Sequence, residues 1–331
     1  MTVLGFRYWG PEEKTAWTIP VCYRGIPFRL SHRKFGLRAE APNAEGETLR
    51  ILHLLVRRLK SASRIAERLL EPLIREQVEG GHFTVRNQLH LFTERYRFFR
   101  SAATAAFESP PPAAVVHSRD AEGRPMAITS QPLKPEKEGF FNTHAMIDCY
   151  FSYLEHVFVL LLPFSGFDAA SENWADFISS NWTTKYNRIL RPDQSPAAHR
   201  LYTELEEIKE RIRNTFTHGG FEKGYESLFV HLPGIGATPA SLSRFSDGIH
   251  YRVIPVSQAD FDSACVVLDR ADAYVEQTHP RAMRILQAGL DAYFDPEGVR
   301  EYVAALESDA ATAEFIERES AAYEQEANMD W

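Results

Sequence analysis

The stretch from Tyr202 to Gly220 constrains the fold most, because it has the pattern of one long amphipathic helix. Apolar side chains recur along it at intervals of three and four residues: Leu201, Leu205, Ile208, Ile212 and Phe216. That spacing places them on one helical face, which is stable only when it is buried against other elements. Gly219 and Gly220 follow directly, and glycine after the last apolar position is the usual end of a helix. The sequence therefore predicts a mainly α fold built around this segment.

The end of this predicted helix carries polar side chains on the face opposite the apolar one. Four of them follow a spacing of four, three and four residues: Glu207, Arg211, Asn214 and His218. This spacing places them in one row along a helix. Arg213 lies at the flank of that row, with a side chain long enough to reach it. His218 falls in the last turn, where unpaired carbonyls and the helix dipole favour a protonated imidazole.

The segment Arg213-Asn214-Thr215-Phe216-Thr217-His218 resembles the signature of the HEPN superfamily of all-α domains. That signature is an Arg and a His separated by four to six residues, often with a polar residue directly after the Arg. The resemblance covers roughly residues 138–280 and implies a HEPN-like helical bundle. Many members are RNA-cleaving toxins or antiviral defence effectors. The resemblance therefore implies a metal-independent endoribonuclease that uses no cofactor and has RNA as its partner.

Arg213, Asn214 and His218 are the catalytic candidates. RNA can be cleaved without a metal when its own 2′-OH attacks the neighbouring phosphorus atom, which requires a proton carrier and a stabilising cation. Imidazole suits proton transfer because its ordinary pKa is near neutrality, and guanidinium matches the geometry of phosphate. Asn214 is placed to orient the imidazole or to bond a phosphate oxygen.

Two arginines compete for the cationic role. Arg211 is separated from His218 by six residues and lies in the same polar row, so geometry favours it. The superfamily pattern favours Arg213, because Asn214 follows it directly. We take Arg213 as the primary arginine and Arg211 as a helper that binds the RNA backbone. The competing interpretation is that Arg213 and His218 only cap and solvate a helix end.

One Arg and one His make a small catalytic group for one phosphate. The resemblance implies that two domains pair so that two copies of the motif face each other in one cleft, and we therefore expect a homodimer. The alternative is a non-catalytic HEPN-like binding or scaffold module in a larger assembly. Gly220 stands where some HEPN toxins carry a tyrosine that a partner nucleotidyltransferase modifies. A regulator of that type is therefore not expected.

Two charged residues on preceding helices are candidates for supporting the site. Glu155 interrupts a strongly apolar helix predicted from Phe140 to Leu162, and HEPN domains often place a polar residue of a preceding helix near the Arg and His. Lys185 lies in a shorter helix predicted from Ala175 to Leu190. Either side chain could instead face solvent, as most charged side chains do.

A stripe of arginines runs along a long helix predicted from Glu47 to Val78. The stripe lies opposite a near-heptad apolar seam and consists of Arg50, Arg57, Arg64, Arg68 and Arg75. Arg57, Arg64 and Arg68 are our candidates for contacts with an RNA backbone. A solvated helix face explains the stripe as well, because Glu71 lies four residues from Arg75 and Glu67 lies three residues from Arg64.

Charge is distributed unevenly along the chain of 331 residues. Residues 1–110 contain 18 Lys or Arg against 11 Asp or Glu, whereas residues 289–331 contain 2 against 12. Such asymmetry suggests an anionic partner for the N-terminal region and a basic surface, a protein partner or a regulator for the acidic tail.

Four segments are expected along the chain. Residues 1–108 should form short strands followed by two long basic helices, and 109–137 should form a Pro-rich linker. Residues 138–280 should form the HEPN-like helical domain, with a small β-hairpin insertion after the motif. Residues 281–331 should form an acidic helical tail.

The composition indicates a cytoplasmic protein without a metal site or a membrane partner. Cys22, Cys149 and Cys265 are odd in number and far apart, so no disulfide framework is expected. No paired cysteines and histidines have the spacing of zinc ligands. The most apolar run, Val157 to Leu162, is far shorter than the roughly 20 residues that span a bilayer.

Overall fold

The computed structural model describes residues 7–43, 45–169, 171–213, 227–243, 248–250, 254 and 256–329, without the side chains of 211, 213, 227–230, 238–243 and 248–250. The described chain is mostly helical, which confirms the expected mainly α character. It divides into two compact units. The first comprises Met1–Thr84, Asp168–Trp174 and Tyr293–Trp331, and the second comprises Val85–Phe167 and Ala175–Ala292.

The helices and strands alternate in groups along the chain. The α-helices are α1 (Gly46–Glu79), α2 (Leu89–Glu108), α3 (Lys134–Leu161), α4 (Trp174–Ser179), α5 (Trp182–Leu190), α6 (Pro196–Ile208), α7 (Gln258–Thr278), α8 (Pro280–Gln287), α9 (Pro296–Ala305) and α10 (Asp309–Asn328). A 3₁₀ turn (Pro163–Ser165) follows α3, and a π-helix (Lys209–Arg213) follows α6. The strands are β1 (Thr15–Tyr23), β2 (Ile26–Arg33), β3 (Gly36–Glu40), β4 (Thr84–Val85), β5 (Val115–Arg119), β6 (Pro125–Thr129), β7 (Ser227–Leu232), β8 (Gly236–Ser243), β9 (Gly248–His250) and β10 (Ala292–Tyr293).

Four small sheets accompany the helices in the described part of the chain. Strands β1, β2 and β3 form an antiparallel sheet in that order, as do β7, β8 and β9. Strands β5 and β6 form an antiparallel hairpin, and the short strands β4 and β10 pair with each other. The hairpin predicted after the motif is therefore present as β7 and β8, with β9 added at its edge.

In the first unit, α1 packs on the sheet through only its N-terminal half. Phe28 of β2 is buried together with Ile51 and Leu55 of α1. Further along the same apolar seam, Leu69 is 76% exposed and Leu73 is 52% exposed. The predicted heptad seam is therefore covered over its first turns and faces solvent over its last turns.

The acidic tail belongs to the first unit and contacts its sheet. Phe315 of α10 packs edge-on against Tyr302 of α9. At the C-terminal end of α10, Lys34 Nζ donates to Asn328 Oδ1 at 2.7 Å and the Lys14 amide donates to the Met329 carbonyl at 3.0 Å. These contacts tie the C-terminal end of the acidic tail to the sheet.

The second unit is a helical bundle with α3 at its centre. Helix α2 runs antiparallel to α3, because Tyr96 packs on Tyr150 while Phe107 lies beside Gly139. Helix α7 packs on a second side of α3, where the Tyr150 hydroxyl donates to the Leu268 carbonyl at 3.0 Å. Helix α5 packs on a third side. The apolar character predicted for residues 140–162 thus corresponds to burial on several sides.

Two local predictions differ from the structure. Residues 109–137 were expected to be a linker, yet they contain the β5–β6 hairpin and the start of α3 at Lys134. The hairpin turn is set by Asp120, whose carboxylate accepts the amides of Glu122 and Arg124 at 3.1 and 2.7 Å. Most side chains of both strands are exposed, so their sequence lacks the alternation that predicts a strand.

The helix predicted from Ala175 to Leu190 is interrupted at Ser180. Asn181 begins a new helix there, because its side chain accepts the Thr184 amide at 2.9 Å. Ser257 with Asp260 three residues later predicts a helix start from the same chemistry, and α7 begins there. Ser257 and Asp260 form a reciprocal capping box at that point.

A substitution at Gly139 tests the contact between α2 and α3. A Cβ at this position would lie 2.6–2.7 Å from three ring atoms of Phe107. Gly139→Ala should therefore destabilise the protein by about 1–3 kcal/mol, as overpacked cores do. In a Phe107→Ala background the clash is absent, and the same change should stabilise by up to about 1 kcal/mol through helix propensity. Urea denaturation of the four proteins measures both effects; equal effects in the two backgrounds would contradict the packing account.

Candidate functional site

The structure describes only the first part of the predicted catalytic motif. The backbones of Arg211 and Arg213 lie in the π-helix Lys209–Arg213, at the end of α6. Asn214 and His218 lie outside the described residues. The environment of the motif is therefore defined by the elements against which the π-helix packs.

The π-helix packs against α3 and α5. Ile212 is buried, and Lys209 Nζ lies 5.3 Å from the ring centroid of Trp182 and 5.9 Å from that of Phe151. An ammonium group at such distances is attracted to the faces of both rings. The start of the motif segment therefore lies at the C-terminal end of α6 and beside the N-terminal end of α5. On α3 it lies on the face that carries Phe151.

The π-helix changes the geometry that a regular helix would give. A π-turn closes i→i+5 hydrogen bonds and so shifts every later side chain around the axis; such turns are frequent at functional sites. The predicted row of Glu207, Arg211, Asn214 and His218 assumed 3.6 residues per turn throughout. That assumption fails at Lys209, so the competition between Arg211 and Arg213 is not decided by α-helical spacing.

Glu155 and Lys185, the two supporting candidates, pair with each other. Lys185 Nζ donates to Glu155 Oε2 at 2.7 Å. Lys185 is 4% exposed, whereas the Glu155 side chain is 34% exposed. The ammonium is therefore held inside the bundle by a carboxylate at its edge. Neither side chain is a simple solvent-facing charge.

The order of contacts along α3 shows where this pair lies relative to the motif. Phe151 packs on Trp182, which in turn stacks on Tyr202 of α6 at 5.4 Å. One to two turns further along α3, Phe158 packs on Tyr186, whose hydroxyl donates to the Ala198 carbonyl of α6. Helix α6 therefore runs antiparallel to α3.

This direction applies to the described backbone of Lys209–Arg213. Glu155 lies on the C-terminal side of Phe151, whereas the chain beyond Lys209 continues towards the N-terminal part of α3. The structure thus brings Glu155 and Lys185 together, but it does not bring them towards Arg213. Their proposed support of the motif stays a prediction.

Two polar side chains that the sequence did not single out lie on the N-terminal part of α3. His144 Nδ1 lies 3.6 Å from Asp148 Oδ2, at i,i+4 spacing. Their side chains are 20% and 41% exposed, respectively. Phe151 follows Asp148 by three residues, so the three side chains share one helical face. The His–Asp spacing of four residues was a signal available in the sequence.

The RNA-backbone candidates Arg57, Arg64 and Arg68 are exposed along α1, in the first unit. Within the described part of the chain, no carboxylate lies in ion-pair range of these three. Arg75 and Arg50, by contrast, pair with Glu71 at 3.5 Å and Glu47 at 3.4 Å. The stripe therefore presents three guanidinium groups that remain available for phosphate oxygens.

Two titratable groups are buried in the bundle beside α3. Burial lowers the pKa of His156 to about 4, and its Nε2 accepts the Gln88 amide at 3.0 Å. Burial raises the pKa of Asp272 to about 7, although a hydrogen bond from the Tyr150 hydroxyl opposes that shift. His156 is thus neutral at neutral pH and serves as a hydrogen-bond acceptor, and Asp272 is about half protonated at neutral pH.

Neither a metal cluster nor a membrane span is found where the chain is described. Among those residues, no three His, Cys, Asp or Glu side chains are grouped as metal ligands. No helix there has both the length and the apolar character needed to cross a bilayer.

Replacing Glu155 should destabilise the protein more than replacing Lys185. Glu155→Gln leaves an ammonium buried without a countercharge and should destabilise by about 2–3 kcal/mol. Lys185→Met fills the same space with an apolar chain and leaves a carboxylate that water can reach, so it should cost about 1 kcal/mol or less. Chemical denaturation measures both. The double variant should resemble Lys185→Met; equal losses in the two single variants would contradict this account.

The two buried titratable groups should give opposite pH dependences of stability. Between pH 4 and its ordinary pKa, His156 is protonated only in the unfolded chain, so stability is lost as pH falls. Asp272 stays protonated in the folded protein up to about pH 7, so its contribution is lost as pH rises from about 4 to 7.

Single variants separate these contributions. From about pH 4.5 to 6.5, His156→Gln leaves only the Asp272 term, and stability relative to wild type should fall as pH rises. Asp272→Asn leaves only the His156 term, and relative stability should rise with pH. Each slope should reach as much as about 1.4 kcal/mol per pH unit. Urea midpoints across this range provide the measurement, and parallel profiles for both variants would contradict the assigned shifts.

Comparisons with known proteins identify no relative of this chain. No family model matches it. No curated protein and no solved structure matches it either. The functional assignment therefore rests on the residues, contacts and charges described above.

Proposed function

We propose that the protein is a metal-independent endoribonuclease of HEPN type that acts as a toxin or antiviral defence effector. Arg213 stabilises charge on the phosphorane, His218 transfers protons, and Asn214 orients the imidazole or binds a phosphate oxygen. Arg211 contributes to binding of the RNA backbone. The attacking nucleophile is the 2′-OH of the RNA, so no cofactor is required.

The observation that carries this proposal is the packing of the motif segment against the helical bundle. Ile212 is buried and Lys209 covers Phe151 and Trp182, so the segment is anchored between the positions of its two arginines. A polar Arg-Asn-x3-His sequence that only solvated a helix end would need no such anchor. The π-turn at this point adds support, because such turns are common at functional sites.

Charge elsewhere in the chain supports RNA as the substrate. Arg57, Arg64 and Arg68 are exposed on one side of α1, and guanidinium groups bind phosphate oxygens well. The acidic tail supplies the opposite charge, and it would bind a basic surface or a protein regulator. Pairing of two chains in a homodimer would add a second Arg and His to the cleft around one phosphate.

Loss of the two motif side chains should abolish cleavage without unfolding the protein. His218→Ala and Arg213→Ala should each lower the rate of RNA cleavage by about 10²–10⁴-fold, as expected for a lost proton carrier or charge stabiliser. Their thermal stability should change by less than about 0.5 kcal/mol if both side chains are solvated at a cleft. Gel analysis of labelled RNA and thermal unfolding measure the two quantities.

The products and the metal dependence provide independent controls. A chelator should leave cleavage unchanged, and the products should carry 2′,3′-cyclic phosphate and 5′-hydroxyl ends. Arg211→Ala should show a milder loss that is mainly in RNA affinity. Cleavage that survives His218→Ala or depends on added divalent metal would exclude this mechanism. RNA binding without any cleavage by the wild type would instead favour the non-catalytic binding or scaffold module.

A further inference from the structure

The C-terminal half of α1 is exposed on all sides in the described part of the chain. Every residue from Lys60 to Gln77 is exposed, which at 1.5 Å per residue is a length of about 27 Å. Five large aliphatic side chains on it are between 48% and 76% exposed: Ile65, Leu69, Leu70, Leu73 and Ile74. An isolated helix of this length is only marginally stable in water, and soluble proteins rarely leave a large apolar patch uncovered. The exposed stripe therefore indicates an interaction surface.

This stripe continues the seam through which α1 packs on its sheet. The seam positions alternate by three and four residues: Leu52, Leu55, Leu59, Ala62, Ala66, Leu69 and Leu73. Over its first turns the seam is covered, since Leu55 is buried together with Phe28 of β2. From Ala62 to Leu73 the same positions are exposed. The pattern typical of helix pairing therefore extends beyond the part that the sheet covers.

A second copy of α1 that runs antiparallel fits this exposed seam in shape. In a two-fold antiparallel pair, each step forward along one helix is a step backward along the other. When Ala66 faces the partner's Leu69, Ala62 therefore faces the partner's Leu73. Each exposed layer then joins one small and one large side chain. Such layers fill the space between two helices without a void or a clash.

The charges of α1 also favour an antiparallel pair. Residues 57–68 contain five Lys or Arg and one Glu, whereas residues 69–79 contain three Glu and one Arg. A parallel pair would place the two basic segments side by side. An antiparallel pair places each basic segment beside the partner's acidic segment, which is favourable at both ends. Arg58 and Glu79 occupy the same flank of the seam, three heptads apart, so Arg58 comes opposite the partner's Glu79.

The same features favour a second copy over a membrane or RNA as the occupant. An anionic membrane attracts amphipathic helices through basic residues along their polar face. The last turns of α1 instead carry Glu71, Glu76 and Glu79, and residues 60–79 include no aromatic side chain. RNA would bind the arginine stripe, which lies opposite the seam. Pairing through the seam leaves that stripe exposed.

We propose that α1 is a dimerisation helix, which pairs antiparallel with α1 of a second copy of this chain through residues 58–79. This interface is formed by the first unit alone. It is separate from the pairing of motif-bearing domains, and it does not depend on the ribonuclease activity. The paired helices present their arginine stripes on opposite outer sides of the dimer.

The mass of full-length variants in solution tests the apolar seam. The wild type at micromolar concentration should have at least twice the mass of one chain by light scattering. Leu69→Glu places two carboxylates in the paired seam and should raise the dissociation constant more than about 10²-fold, which halves the mass. The thermal midpoint of the dissociated chain should show no loss of fold, because Leu69 is exposed in a single copy. Leu91→Glu, at a leucine of α2 that is 54% exposed, is the matched control and should keep the wild-type mass.

Disulfide formation tests the direction of pairing. In a Cys22→Ser background, which removes the exposed cysteine, Ala62→Cys and Leu73→Cys are introduced together. The two positions are about 16 Å apart within one helix, too far for a disulfide inside one chain. In the antiparallel pair they face each other, so mild oxidation should link two chains. Each single cysteine variant should stay unlinked, because equal positions lie well apart.

Exchange of the flanking charges tests their pairing. Arg58→Glu and Glu79→Arg should each raise the dissociation constant by about 10-fold, since each creates two like-charge contacts in the dimer. The double variant restores opposite charges and should recover most of the affinity. Arg58 also lies 5.8 Å from the ring centroid of Tyr23. The double variant does not restore that contact, so recovery reports the contact between chains.

Three results would overturn the proposal. The first is a wild-type protein that stays monomeric at micromolar concentration, including one whose α1 instead binds vesicles of phosphatidylcholine and phosphatidylserine. The second is a Leu69→Glu variant that keeps the wild-type mass. The third is efficient linkage of the single Ala62→Cys variant, which would show a parallel pair. Halving of the mass by Leu69→Glu, together with linkage of the double cysteine variant alone, supports it.

Discussion

The burial of α3 is the constraint on which the second unit depends. Its side chains are buried against α2, α5 and α7, and each fully buried large apolar side chain is worth about 1.5–3 kcal/mol. Packing on so many sides fixes both the rotation and the direction of α3. The rotation decides which of its polar residues point inward. The same packing explains why a single methyl group added at Gly139 would destabilise the bundle.

Polar groups at the edges of this core are stabilised by single, specific partners. Lys185 is buried with Glu155 as its ion-pair partner. Burial lowers the pKa of His156, and the neutral ring accepts the Gln88 amide. Asp272 is shifted towards its protonated form by burial and accepts a hydrogen bond from the Tyr150 hydroxyl. Such groups cost free energy when their partner is lost. These polar pairs therefore favour one particular arrangement of the helices, because other arrangements would leave a buried polar group without its partner.

The π-turn at Lys209 links the packing of the bundle to the proposed chemistry. It lies where α6 passes Phe151 and Trp182, and it redirects the backbones of Arg211 and Arg213 relative to a regular helix. Because α6 is antiparallel to α3, this redirection leads towards the N-terminal part of α3. The backbone of Arg213 is therefore positioned by contacts with residues of α3 and α5, which are distant from it in the sequence.

Local patterns in the sequence determined the elements of this protein, and tertiary packing decided how they meet. Apolar periodicity predicted α1 and the central helix α3, and the Ser257–Asp260 cap predicted the start of α7, because these signals act between neighbouring residues. The β5–β6 hairpin was missed since its exposed strands lack a hydrophobic pattern. The π-turn and the Glu155–Lys185 pair follow from contacts between helices, and no single segment encodes those contacts.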